Sequence, residues 1–209
     1  MARPLLKSND YFYKSREFRD ELQVPTEEAR YSISRWKSCL ALIETLKQKY
    51  KIDPSKFTIV DGTSCVGSDL ITFNFHFRKV IGIELNPIHF EALSHNISVY
   101  HAHFRDEFPL PVILNADTLK FLSDFVPTEP TILYLDLPWG GKNYKSNKHL
   151  ELYMSSIPLG TIISRITAKQ FTFVVAKVPK NYATPDLPRG YQVARYTDKK
   201  YDYIIVTPP

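Results

Sequence analysis

The segment Asp136-Leu137-Pro138-Trp139-Gly140-Gly141 brings together a carboxylate, a backbone carbonyl in a tight turn and an aromatic ring. Those parts suit one kind of chemistry. The exocyclic amine of a nucleobase is a poor nucleophile, because its lone pair is delocalised into the ring. Two acceptors on its hydrogens can hold it in attack geometry and draw it toward tetrahedral character. The Asp136 carboxylate and the Leu137 carbonyl are those acceptors. Pro138 stiffens the turn, and Trp139 can stack on the base, an interaction of about 1–3 kcal/mol. If the methyl donor is a sulfonium it is already activated, so holding the atoms in line supplies much of the catalysis. The plainer reading is a Pro-Gly turn with a core tryptophan. The strand ending in Asp before the turn and the basic loop after it argue against that.

A second segment, Asp61-Gly62-Thr63-Ser64-Cys65-Val66-Gly67, lies between an expected strand and an expected helix. Small residues there let the backbone pass close beneath a ligand, and a helix start offers free N–H groups. Asp61 can accept from an ammonium group. The competing reading is an ordinary tight turn. Cys65 stands where a dinucleotide fingerprint would have its middle glycine, which disfavours that fingerprint. Glu84, 23 residues after Asp61, ends the next strand. As an acceptor-only carboxylate it can take both hydroxyls of a ribose. Asp117 can accept from an adenine amino group, or simply cap a helix. The chain has only seven glycines, and Gly62, Gly67, Gly82, Gly140 and Gly141 all lie in or beside these segments.

The elements that must position these residues alternate. Strands are expected at 57–61, 79–84, 112–114, 131–136 and 171–176. Helices are expected from Ser68 to Phe77, from Pro87 to about Val99, from Asp117, and after the polar 142–148 loop to about Ala168. Before them, 26–50 reads as helical, with Ser34 a candidate cap for the main stretch and Trp36, Leu40, Ile43 and Leu46/Lys47 near helical spacing. After them, 190–195 and 201–206 read as a β-hairpin around Asp198-Lys199-Lys200. Strand–helix alternation implies an α/β fold with a mostly parallel sheet covered on both faces. Ligands bind such sheets beyond the carboxyl ends of the strands. The closing hairpin sets this sheet apart from that of a dinucleotide dehydrogenase. Residues 1–52 read as an N-terminal extension and 53–209 as the catalytic domain.

The 209 residues suit one such domain. Cys39 and Cys65 form neither a disulfide framework nor a zinc pattern, so no metal is expected. With no apolar signal core at the start and no long apolar run, an intracellular protein is expected, in nucleus or cytoplasm, not secreted and with no membrane partner. The net charge of +5 favours a polyanionic partner.

On IVDGTSCVG (59–67), KVIGIELNPIHFEALSHNISVY (79–100), NADTLKFL (115–122) and ILYLDLPWGGKNY (132–144), the chain resembles the trimethylguanosine synthase family. KVPKN (177–181) adds a fainter likeness. The resemblance spans about 57–205. It implies a Rossmann-like methyltransferase fold with a seven-stranded, mostly parallel sheet, a C-terminal antiparallel hairpin and a short helical N-terminal extension. It also implies S-adenosyl-L-methionine as cofactor and methylation of the guanine N2 amine in a 7-methylguanosine RNA cap, by a protein expected to be a monomer.

Carried over by residue, Asp61, Gly62, Thr63, Gly67, Glu84, Leu85, Asp117 and Thr118 would bind the cofactor. Asp136, Leu137, Pro138 and Trp139 would form the catalytic turn. Trp139 would stack on 7-methylguanine, whose ring is cationic and suits an indole face. Asn143, Lys145, Lys180, Asn181, Lys14 and Arg16 would complete the substrate contacts. Two departures stand out: Leu137 replaces the first of two prolines, and Cys65 replaces a glycine. The alternatives are a methyltransferase for guanine N2 or adenine N6 in ribosomal or transfer RNA, and a cap- or RNA-binding protein without catalysis.

Overall fold

The computed structural model describes residues 11–141, 144–146, 148–166 and 171–209. Its main sheet has seven strands in the order β3-β2-β1-β4-β7-β9-β8. These are β1 (Thr58–Asp61), β2 (Lys79–Glu84), β3 (Val112–Asn115), β4 (Thr131–Leu135), β7 (Phe173–Val178), β8 (Gln192–Thr197) and β9 (Asp202–Thr207). The pairs β1–β2, β2–β3 and β4–β7 are parallel, and β9 runs antiparallel to both β7 and β8. This is the expected Rossmann-like methyltransferase sheet with its closing hairpin. The chain divides into two compact units, one ending at Thr118 and the other starting at Leu119.

In the first unit, β1 is buried along its whole length. Gly82 in β2 leaves no room for a side chain as its neighbours stand, since a Cβ there would fall 2.0 Å from Leu70 Cδ1 and 2.9 Å from Ser64 Oγ. Helix α3 (Ser68–Asn74) therefore lies close on the strand. Helix α4 starts at Pro87, where the missing N–H costs nothing, and is capped by Asn86, which accepts from the Ile88 N–H. It runs to His103, past the expected end, because Leu93, Asn96, Ile97 and Tyr100 continue one buried face.

The helical stretch expected over 26–50 is two helices, α1 (Glu27–Ser32) and α2 (Trp36–Tyr50), the second starting two residues after the expected cap. Thr26 caps α1, accepting from the Ala29 N–H. Arg35, not Ser34, stands at the N-cap of α2, and the Ser34 N–H donates to Ser68 Oγ at 3.3 Å at the break. The buried face of α2 is Cys39, Leu42, Ile43 and Leu46, rotated from the expected one. The Tyr100 hydroxyl donates to the Tyr13 carbonyl, and burial pushes this phenol's pKa up, so it stays a donor.

In the second unit, every residue of β4 is buried. Helix α5 (Thr118–Asp124) starts at the boundary and leads into it. Between β4 and β7 lie two short strands absent from the expected order, β5 (Tyr153–Met154) and β6 (Ile157–Pro158), then α6 (Leu159–Arg165). The expected helix end at Ala168 lies outside the described residues. Strand β7 continues to Val178, past the expected Ala176, and so takes Lys177 into the sheet. Among the described residues no helix is long and apolar enough to cross a membrane.

Candidate active site

The first group of site residues is built around the loop after β1. Asp61 is buried, and its Oδ1 accepts from the Thr63 N–H at 3.0 Å. Ser64 Oγ donates to the Asp61 carbonyl, and the Ser64 N–H donates to the Ile83 carbonyl, both at 3.0 Å. Thr118 Oγ1 donates to the Gly62 carbonyl at 2.6 Å. Gly67 ends the loop at φ +94°, and a Cβ there would stand 2.7 Å from Leu93 Cδ1. Cys65 also has a left-handed backbone, φ +48°, which explains why a glycine was expected at this position.

Glu84 ends β2 and clasps this loop. Its Oε2 accepts from the Cys65 N–H at 2.7 Å, and its Oε1 accepts from the Asn86 N–H at 2.8 Å. An ionised carboxylate has about four acceptor sites, so two bonds leave capacity for a diol. His89 Nδ1 stands 3.9 Å from Oε1, and His89 Nε2 is 2.7 Å from Thr26 Oγ1. Thr26 Oγ1 also accepts from the Ala29 N–H and keeps a proton and a lone pair, so it can pair with either tautomer of His89. Asn115 donates to the carbonyls of Glu84 and Leu85 at 2.7 and 3.1 Å. Leu85 itself is 62% exposed, and Asp117 is half-buried.

Thr26, His89 and Asn115 were not singled out from sequence. Thr26 has a readable cap signal, but its bond to His89 spans 63 residues and has no local trace. Lys14, expected at substrate phosphates, donates to Glu107 at 2.9 Å and lies over the Phe75 ring at 4.6 Å. Arg16 is exposed.

The second group follows β4. Register places Leu135 beside Ala176, so Asp136 and Lys177 emerge side by side from parallel strands. Lys177 Nζ donates to Asp136 Oδ2 at 2.7 Å, with the lysine side chain 3% exposed. The ammonium also lies 4.5 Å from the Tyr201 ring centroid and 5.9 Å from that of Trp139. Trp139 meets the edges of Tyr144 at 5.2 Å and Tyr201 at 6.0 Å. Its indole Nε1 is buried with no hydrogen-bond partner among the described residues.

Leu137 is fully buried, which anchors the turn through about 1.5–3 kcal/mol of burial where a first proline would have stiffened it. Pro138 is exposed. Gly140 and Gly141 have φ of +83° and +81°, and a Cβ on either would meet nothing within 4 Å. Their requirement is backbone conformation, not space. Asn181 donates to the Tyr144 carbonyl at 2.9 Å and so holds Trp139's neighbour. Lys145 lies over the Tyr144 ring at 5.8 Å, and Lys180 is exposed. Asn143 and Lys142 lie outside the described residues.

Sequence reading passed over Lys177 and Tyr201. The available signal was a lysine inside the apolar run FVVAKV, since a charge in a buried strand must be paired. Among the described residues no group of three or more His, Cys, Asp or Glu side chains could hold a metal ion.

Residues 56–207 match the family of RNA cap guanine-N2 methyltransferases. The chain belongs to that family. The fold of this RNA cap guanine-N2 methyltransferase family member is also shared with solved structures of low sequence identity. One is yhhF from Escherichia coli, named as a methyltransferase: 13% identity over 90% of this chain and 92% of that one, TM-score 0.59. A protein from Haemophilus influenzae, named as a methylase, matches at 16% identity over 81% and 98%, TM-score 0.54. Precorrin-6y C5,15-methyltransferase from Geobacter metallireducens matches at 13% identity over 90% and 94%, TM-score 0.53.

The protein is thus an S-adenosylmethionine-dependent methyltransferase. The first group of residues fits that cofactor chemically. It offers two strand-end carboxylates for an ammonium and a diol, and an exposed Leu85 for a flat heterocycle.

Proposed function

We propose that this enzyme methylates the N2 amine of guanosine in a 7-methylguanosine RNA cap. The observation that carries the reading is the Asp136–Trp139 turn, with its carboxylate fixed by Lys177 and its tryptophan set among tyrosines. The Asp136 carboxylate and Leu137 carbonyl would accept from the two amine hydrogens. Trp139 would stack on the base, its face suited to a cationic ring. Lys145, Lys180, Asn143 and Asn181 would serve the cap and its phosphates, with Lys14 and Arg16 as further cationic contacts.

In this reading S-adenosylmethionine supplies an activated methyl group. Asp61 would hold its ammonium, Glu84 its ribose and Asp117 its adenine, with Gly62, Thr63, Gly67, Leu85 and Thr118 lining the same region. Residues 53–209 carry the chemistry, and residues 1–52 are an extension that steadies the cofactor loop. RNA is the natural partner on this reading, consistent with the +5 charge.

A second reading, a guanine-N2 or adenine-N6 methyltransferase for ribosomal or transfer RNA, is favoured by one observation. Lys177 neutralises Asp136, which removes a reason for the site to prefer a cationic base.

Mass spectrometry decides between them. A cap analogue bearing 7-methylguanosine and plain GTP are each incubated with protein and S-adenosylmethionine. A gain of one or two methyl groups on the 7-methylated compound alone is expected. Gain on neither would sink the cap reading. Asp136→Ala is expected to lower transfer by roughly a thousandfold, the scale for losing an oriented polar group at the reacting atom. Cofactor affinity should stay within a few-fold.

A further inference from the structure

Lys177 is a charge buried inside a strand whose other residues are apolar or small. Burying an ammonium is costly, and a well-packed apolar side chain would often serve stability as well or better. Its surroundings point to another use. The same Nζ reaches Asp136 at 2.7 Å and lies over Tyr201 at 4.5 Å, near enough to Trp139 (5.9 Å) for both ring faces to feel it. Tyr201 in turn meets Trp139 edge-on. One ammonium therefore serves both the acid that would orient the amine and the aromatic wall that would hold the base.

We propose that Lys177 is a specificity-determining residue that limits the site's preference for a positively charged base. The inference rests on the reading that this turn receives a nucleobase. Asp136 alone would place a net negative charge beside Trp139 and draw in a cationic ring such as 7-methylguanine. Paired with Lys177 it forms a neutral couple, and the ammonium already draws on the electron-rich face of Tyr201. What remains to distinguish a cationic from a neutral base is chiefly the Trp139 ring. The couple still holds Asp136 in one orientation, so Lys177 also acts as a positioning residue.

The test measures dissociation constants for a 7-methylguanosine cap analogue and its unmethylated counterpart. Wild type, Lys177→Gln, Lys177→Arg and Asp136→Asn are compared by titration calorimetry, with thermal unfolding as a check on folding. Lys177→Gln keeps a hydrogen-bond donor but removes the charge. It should raise the methylated-over-unmethylated preference by between about tenfold and a hundredfold, the range that one unit of charge about 6–10 Å away supports at an effective dielectric of about 20. Lys177→Arg should keep the wild-type ratio. Asp136→Asn, which leaves the ammonium in place, should move the preference the other way, and it carries the test if Lys177→Gln fails to fold.

Equal ratios in all folded variants, with both analogues bound, would overturn the inference and leave the cap reading standing. Failure of wild type to bind either analogue would remove the cap reading and the inference together.

Discussion

Glu84 and Asp136 are both carboxylates at strand ends, but they are held by different means. Glu84 is gripped by main chain, the N–H groups of Cys65 and Asn86, with His89 behind it. Asp136 is gripped by a side chain, Lys177, within a group of aromatic rings. A main-chain grip makes the acid part of the loop's own shape, so loop and acid stand or fall together. A side-chain grip can be exchanged one residue at a time while the turn stays intact. The first suits binding a constant cofactor. The second suits a pocket whose preference is adjustable.

Beside the loss of transfer expected of Asp136→Ala, the largest effect on binding should come from breaking the main-chain grip. Glu84→Ala removes two hydrogen bonds to a charged acceptor, each about 1.5–3 kcal/mol. S-adenosylmethionine should then bind roughly a hundredfold more weakly by calorimetry, with a lower melting temperature and unchanged cap affinity. Loss of cap binding with normal cofactor binding would reverse the assignment. Trp139→Ala should raise the Michaelis constant for the cap analogue about tenfold, from lost stacking, and leave the cofactor constant alone. An unchanged cap constant would mean the indole is only a wall for Tyr144 and Tyr201.

The smallest effect should come from Cys65→Gly. Relief of the left-handed strain, about 1–2 kcal/mol, is partly offset by the freer unfolded chain, about 0.4–1 kcal/mol. A slightly higher melting temperature is expected, with cofactor affinity within a few-fold. A drop in stability would show that the thiol contributes packing.

The strand-end residues were legible in the sequence because each follows a short apolar run and precedes a turn or a helix. Asp61, Glu84 and Asp136 all stand where that pattern put them. The form of the break between α1 and α2 was not legible, because the Ser34 N–H bonds to Ser68 across the fold, 34 residues away. The strands β5 and β6 have two residues each, too few for any alternation to show. Lys177 was missed because a strand taken to end at Ala176 left it in a loop, where a lysine is ordinarily solvated. Thr26 and His89 were missed because only the folded chain brings a helix cap to a helix side chain.

Asn96 is completely buried and treats Gln23 as an adjacent strand would. Its amide oxygen accepts the Gln23 N–H at 2.7 Å, and its amide nitrogen donates to the Gln23 carbonyl at 3.0 Å and to the Val66 carbonyl at 2.9 Å. Gln23 is thereby bound into the same cooperative block as the loop after β1, 73 residues from its partner in sequence. Deuterium should enter its amide at the slow pace of core opening and not at the fast pace of a fraying end. A chain trimmed past Gln23 would leave the buried Asn96 amide holding the Val66 carbonyl alone, its oxygen without the Gln23 N–H, so the segment belongs to the folding unit itself.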